Sequence, residues 1–158
     1  PGPAGRYGGP SIVRIASERG DLHFVSCHAA SGRDSKGRRA QIAWLLSNVR
    51  SPASKTVIAG DFNIDPDGRW SFLRPILTDS ASFDRASWRA IKVLGRDPGS
   101  GGPATTSLGR RNDWVVVDSR MQVKDYKVLK SARRAGMDQA PVFVSVGYSG
   151  AAREVAGN

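Results

Sequence analysis

Apolar and polar positions along the chain fall into two rhythms. Residues 11–16 and 22–28 are rich in Ile, Val, Phe and Leu and read as strands. Between them, Glu18-Arg19-Gly20-Asp21 has the composition of a hairpin turn. From 36 to 50 the period changes: Ile42, Leu45, Leu46 and Val49 recur at helical spacing and predict an amphipathic helix whose first turn is basic. Pro52 ends that pattern, and residues 55–60 form an apolar run of the buried-strand type that closes on Gly60. A short helix is expected over 69–77, with Trp70, Leu73 and Leu77 on one side, and strands over 113–117, 123–129 and 140–146. Residues 79–112 follow neither period, and the Gly- and Pro-rich stretch 97–103 reads as a loop. These elements predict an α/β domain over 11–149, preceded by an irregular or tag-like lead over 1–10 and followed by a frayed tail over 150–158.

A chain of 158 residues suffices for one domain with its own core and is short for two. No apolar run approaches the ~18 residues expected of a membrane span, so no span is expected. The lead lacks the apolar core of a signal peptide, and without an initiating Met the chain is expected to be part of something longer. Lys and Arg number 24 against 14 Asp and Glu, a formal charge of +10, which favours polyanionic partners such as DNA. An Arg-rich composition has a second source in a GC-rich genome. Arg33, Arg38, Arg39, Arg110 and Arg111 are the basic residues expected to meet nucleic acid. Positive charge at a helix N-terminus opposes the dipole, which makes the 33–39 cluster a candidate ligand contact. The single cysteine, Cys27, cannot form an internal disulfide, and no Cys/His cluster has zinc spacing.

The chemistry-bearing positions lie at predicted strand ends. Residues 57–67 read Val-Ile-Ala-Gly-Asp-Phe-Asn-Ile-Asp-Pro-Asp. Alternation along a strand sends Asp61 and Asn63 to one side, where a carboxylate can activate water and a carboxamide can hold a phosphate oxygen. The same Asp-x-Asn is also a common way to start a turn. Ser26-Cys27-His28, Asn112-Asp113 and Met137-Asp138-Gln139 sit at comparable edges, and rigid strand ends are where an α/β sheet gathers an active site.

In order, His28-Ala29-Ala30-Ser31-Gly32, Gly60-Asp61-Phe62-Asn63, Asn112-Asp113-Trp114 and Met137-Asp138-Gln139-Ala140-Pro141-Val142 resemble the endonuclease/exonuclease/phosphatase superfamily. Within it, the nearest likeness is to the catalytic B subunit of cytolethal distending toxins. The resemblance covers residues from about 10 to 147. It implies the C-terminal portion of a deoxyribonuclease-I-like α/β sandwich, a mostly antiparallel sheet with flanking helices. It implies DNA cleavage with Mg²⁺ or Mn²⁺, secretion, and lectin-like delivery subunits. Asp61 would orient or deprotonate the attacking water, Asn63 and His28 would hold the phosphate, Asp138 would lie near the metal, and Asp113 would orient a histidine.

Two departures bear on activity. Gln139 stands where the resemblance places that histidine, and a carboxamide cannot take up a proton near neutral pH. Met137 replaces the serine two positions earlier. The family's metal-binding Glu, on an early strand, has no counterpart before Ser11, so Mg²⁺ would be weakly held. An uncovered sheet face should then recruit a second copy, a separate N-terminal chain or another partner. Three readings follow: an impaired metal-dependent phosphodiesterase, a catalytically inactive nucleic-acid or protein binding module, and a phosphatase acting on a small or lipid phosphate ester.

Overall fold

The computed structural model describes residues 9–30, 34–49, 54–64, 85–106, 111–131 and 137–148. The helix expected over 69–77 and the tail from 150 lie outside the described residues, as do most of the lead and Arg33 and Arg110.

Strands β1 (Ser11–Ile15) and β2 (Leu22–His28) form the expected hairpin. Its turn is closed by Gly20 N–H on the Ser17 carbonyl, with Gly20 at φ 93°. Helix α1 (Ser35–Val49) follows. Asp34 caps it, accepting from Gly37 N–H through Oδ1 at 2.8 Å and from Arg38 N–H through its carbonyl. The cap puts a carboxylate at the positive end of the dipole. Ile42, Leu45 and Val49 are buried, as their spacing predicts, and Leu46 packs beside them.

The helix carries the chain over the sheet, so β3 (Lys55–Asp61) pairs parallel to β2. Helix α2 (Arg85–Lys92), in the region that shows no period, places Ile91 in the core. β4 (Asp113–Val117) then pairs antiparallel to β3, giving the order β1-β2-β3-β4. β5 (Met121–Val128) and β6 (Val142–Tyr148) make a separate antiparallel pair.

Alternation sorts the four-stranded sheet into two faces. One face packs Val25, Cys27, Ile58, Trp114 and Val116 against Ile42, Leu45, Val49 and Ile91 of the helices. The other carries Val57, Val115 and Val117, covered by Val142, Val144 and Val146 of β6. The expectation of an open inner face is thus met only in part: β5 and β6 cover its β3–β4 side. On the same face, at the β1–β2 side, Val13, Ile15 and Phe24 remain 57%, 49% and 41% exposed.

Gly60 faces Cys27 of β2 with no room for a side chain. Its φ is 140°, and a Cβ there would stand 1.9 Å from the Cys27 carbonyl oxygen. A side chain at this position meets both backbone strain and a rigid neighbour. Gly101 has φ 73° but nothing within 4 Å of the added atom. Gly60→Ala is therefore expected to lower the unfolding free energy by about 2–4 kcal/mol. Gly101→Ala should cost only about 1–2 kcal/mol. Urea denaturation of the two variants checks the order, and equal losses would remove the close approach as the reason for glycine at 60.

Candidate active site

The register of the sheet places His28 opposite Asp61, and Asp61 opposite Asp113. Three strands thus contribute one row of side chains at the same sheet edge, on the face shared with Val57 and Val115. On the opposite face, Phe62 and Trp114 are fully buried and stacked, with ring centroids 3.7 Å apart and planes at 22°. Each aromatic ring immediately follows an aspartate, so burying the ring turns the carboxylate to the other side. Backbone bonds extend the edge past the strand ends: Ala29 N–H donates to Asp61 O at 2.8 Å, and Phe62 N–H to Asn112 O at 3.0 Å.

Asn63 joins this row by a different route from the expected alternation. Strand β3 stops at Asp61, and Asn63 turns into the left-handed region at φ 51°, which asparagine tolerates better than most residues. Asp61 Oδ1 accepts from Asn63 N–H at 2.7 Å, while Asn63 Nδ2 donates to the Ala29 carbonyl at 2.9 Å. The Asp-x-Asn segment is therefore a turn and part of the acidic row at once.

Gln139 arrives from the segment before β6. Its Nε2 donates to Asp61 Oδ2 at 3.0 Å, and His28 Nε2 lies 3.9 Å from the same oxygen. Asp61 thus has a donor on each oxygen. Asp113 differs: its Oδ2 is buried without a hydrogen-bond partner among the described residues. Burial, then the neighbouring Asp61 charge, pushes the Asp113 carboxyl up to about 6, with a smaller contribution from Asp138 and an opposing hydrogen bond from the Thr105 side chain. Burial likewise pushes the Cys27 thiol up to about 12, with a smaller contribution from Asp61, which leaves it un-ionised and inert.

Thr105 is a residue that sequence reading missed. It is fully buried, and its Oγ1 accepts from Asn112 N–H and Asp113 N–H at 3.1 and 3.2 Å. Its carbonyl accepts from Ala140 N–H at 2.7 Å, next to a bridge between Thr106 and Gln139. One threonine therefore ties the start of β4 to the segment that delivers Gln139. A Thr-Thr pair beyond a Gly-Pro loop carries no periodic signal from which this role could be read.

The basic residues divide. Arg39 is exposed, as a nucleic-acid contact requires. Arg38 is fully buried and donates to the Ala30 carbonyl at 2.6 Å, while Gln41 Oε1 accepts from Ala30 N–H. Arg111 is fully buried on Asp97 at 2.6 Å. Both therefore hold loops in place, and burial corrects the expectation that they touch a phosphate backbone. Asp138 is exposed. Among the described residues no three His, Cys, Asp or Glu side chains stand together as a metal site, and both Asp61 oxygens are already engaged. These residues alone do not fit a resident divalent cation.

The chain matches the family model described as endonuclease/exonuclease/phosphatase family over residues 3–134. No curated protein sequence matches it. Among solved structures it is similar to an endonuclease/exonuclease/phosphatase from Beutenbergia cavernae, at TM-score 0.62 and 21% identity, covering 89% of this chain and 39% of that one. It is similar to an AP endonuclease from Archaeoglobus fulgidus at TM-score 0.62 and 16% identity, covering 88% and 65% respectively. It is also similar to the Haemophilus ducreyi cytolethal distending toxin, at TM-score 0.51 and 15% identity, covering 89% and 54%. The chain thus spans less than two thirds of each, and at these identities the likeness is one of fold.

The raised Asp113 carboxyl has a consequence for stability. With an unfolded value of 3.8 and a folded value of about 6, the folded state binds the extra proton between them. The stabilisation is fully present below pH 3.8 and is lost as pH rises through about 6. Asp113→Asn, which keeps the shape without the charge, is expected to be more stable than the unaltered chain by up to about 3 kcal/mol above pH 6, with the gap closing below pH 4. Denaturation at several pH values measures this, and a pH-independent gap would contradict it.

Proposed function

The chain belongs to the endonuclease/exonuclease/phosphatase family, and from that premise we propose that it hydrolyses phosphodiesters in DNA, as a weak deoxyribonuclease of the toxin type. The observation that carries this reading is the single row His28–Asp61–Asp113 at one sheet edge, with Asn63 and Gln139 converging on Asp61. Asp61, fixed by two donors, is placed to take a proton from an attacking water. Imidazole and carboxamide N–H groups of His28 and Asn63 are the donors for the non-bridging phosphate oxygens, where charge builds up in the transition state. A net charge of +10 draws the polyanion to the surface.

Family members commonly use divalent metals, and a metal would supply further charge neutralisation at the phosphate. The described residues of this chain lack the ligand cluster for that role, which supports a low rate. The exposed Val13, Ile15 and Phe24 support completion of the inner face by a second copy or a separate chain.

A second reading, an inactive DNA-binding module on the same fold, is favoured by Asp61 having both oxygens occupied within the protein. Plasmid nicking at low salt with Mg²⁺ or Mn²⁺ separates the two. Slow nicking is expected from the unaltered chain, a ~10²–10⁴-fold loss in Asp61→Asn, and a gain in Gln139→His. Retained, salt-sensitive DNA binding with no nicking by any variant would select the binding module. Absence of both would remove DNA as the partner.

A further inference from the structure

Hydrolysis of an alkyl phosphodiester needs two proton transfers: one taken from the water and one given to the departing sugar oxygen. Asp61 accounts for the first. Gln139, on the other side of Asp61, cannot make the second, because a carboxamide N–H is not acidic near neutral pH. Of the other side chains in the row, His28 is assigned to the phosphate oxygens, which leaves Asp113. Asp113 lies directly across the strand pair from Asp61, and two carboxyls in one desolvated place do not both ionise readily. Asn63 N–H and Gln139 Nε2 serve both oxygens of Asp61, whereas the hydrogen bonds to the Asp113 carboxyl, from the Thr105 side chain and its own backbone, leave Oδ2 buried with no partner among the described residues. The proton held by the pair therefore belongs on Asp113.

We infer that Asp113, kept protonated beside the Asp61 carboxylate, is the proton donor to the leaving oxygen. The inference rests on the phosphodiesterase reading above. In the step, water oxygen bonds to phosphorus as Asp61 takes its proton, and the bond from phosphorus to the sugar oxygen breaks as Asp113 protonates that oxygen. The products are a phosphomonoester and an alcohol. Transfer of the proton from Asp61 to Asp113 restores the starting state, with no further reactant consumed.

The surroundings agree with this role. Asp113 lines a cavity of about 230 Å³ with Phe24, Ser26, Gly60 and Val142. Its wall, part apolar and part polar, can take the departing side of the scissile bond. The titratable and charged groups around Asp113 are Asp61 from β3, His28 from β2 in the same row, and Asp138 from the segment before β6. The nearby Arg111 is committed to Asp97. Among the described residues no cation is therefore placed to hold Asp113 as a carboxylate, and its upward shift to about 6 agrees.

The test varies the leaving group, since p-nitrophenolate departs without a proton and a sugar alkoxide does not. With Mg²⁺ in both assays, the unaltered chain is expected to lose DNA cleavage as pH rises above about 6, while cleavage of bis(p-nitrophenyl) phosphate does not fall there. Asp113→Asn should lose ~10²–10⁴-fold on DNA and far less on the nitrophenyl ester. Equal losses on both substrates, or parallel pH profiles of the unaltered chain, would make Asp113 a structural residue and overturn the inference while leaving the hydrolytic reading intact. The pH arm needs no variant, so it decides on the unaltered chain alone. If the unaltered chain cleaves neither substrate at any pH, the hydrolytic reading falls and the inference with it.

Discussion

The stack of Phe62 on Trp114 is the contact on which the site depends. Both rings are fully buried on the helix side of the sheet, and each fixes the direction of the aspartate before it. Because a pleated strand cannot bury two successive side chains on one face, Asp61 and Asp113 must emerge on the other. The parallel pairing of β2 with β3, made possible by α1 crossing over the sheet, brings His28 into the same row. A side chain at Gly60 would collide with the Cys27 backbone of β2 within that register. The acidic row is therefore a consequence of core packing on the far side of the sheet.

Electrostatically, the row is an anionic centre with unequal partners. Asp61 is held by a backbone N–H and by Gln139, while Asp113 is held mainly through its backbone, by Thr105. An imidazole in the place of Gln139 would bring a titratable group beside Asp61. The carboxamide donates to Asp61 and can also accept, but it takes up no proton near neutral pH. The same low-dielectric setting that makes a buried carboxyl costly for stability raises the Asp113 carboxyl to about 6.

The basic surplus is not one uniform surface. Arg38 and Arg111 serve as internal ties, one holding the loop after β2 against α1 and the other anchoring the chain before β4 to Asp97. Guanidinium groups suit such places because several fixed donors can satisfy buried carbonyls and carboxylates together. The inner sheet face is likewise divided, with valines of β6 over β3 and β4, and apolar side chains of β1 and β2 still exposed.

Sequence alone determined the elements whose signal is periodic and local. Ile42, Leu45 and Val49 announce α1, apolar residues announce β2 and β-branched runs β3 and β4, and the polar groups at their ends announce where chemistry gathers. It left α2 unread, because eight residues span little more than two turns, too short a window for a helical period to stand out. It read Asp61 and Asn63 as strand neighbours, where a turn at positive φ unites them. Only the tertiary structure decided that His28, Asp61 and Asp113 share one row, that Thr105 binds the two sides of the site, and that Arg38 and Arg111 face inward. Those outcomes depend on register, crossover and burial among residues far apart in the chain, and no local pattern encodes such distances.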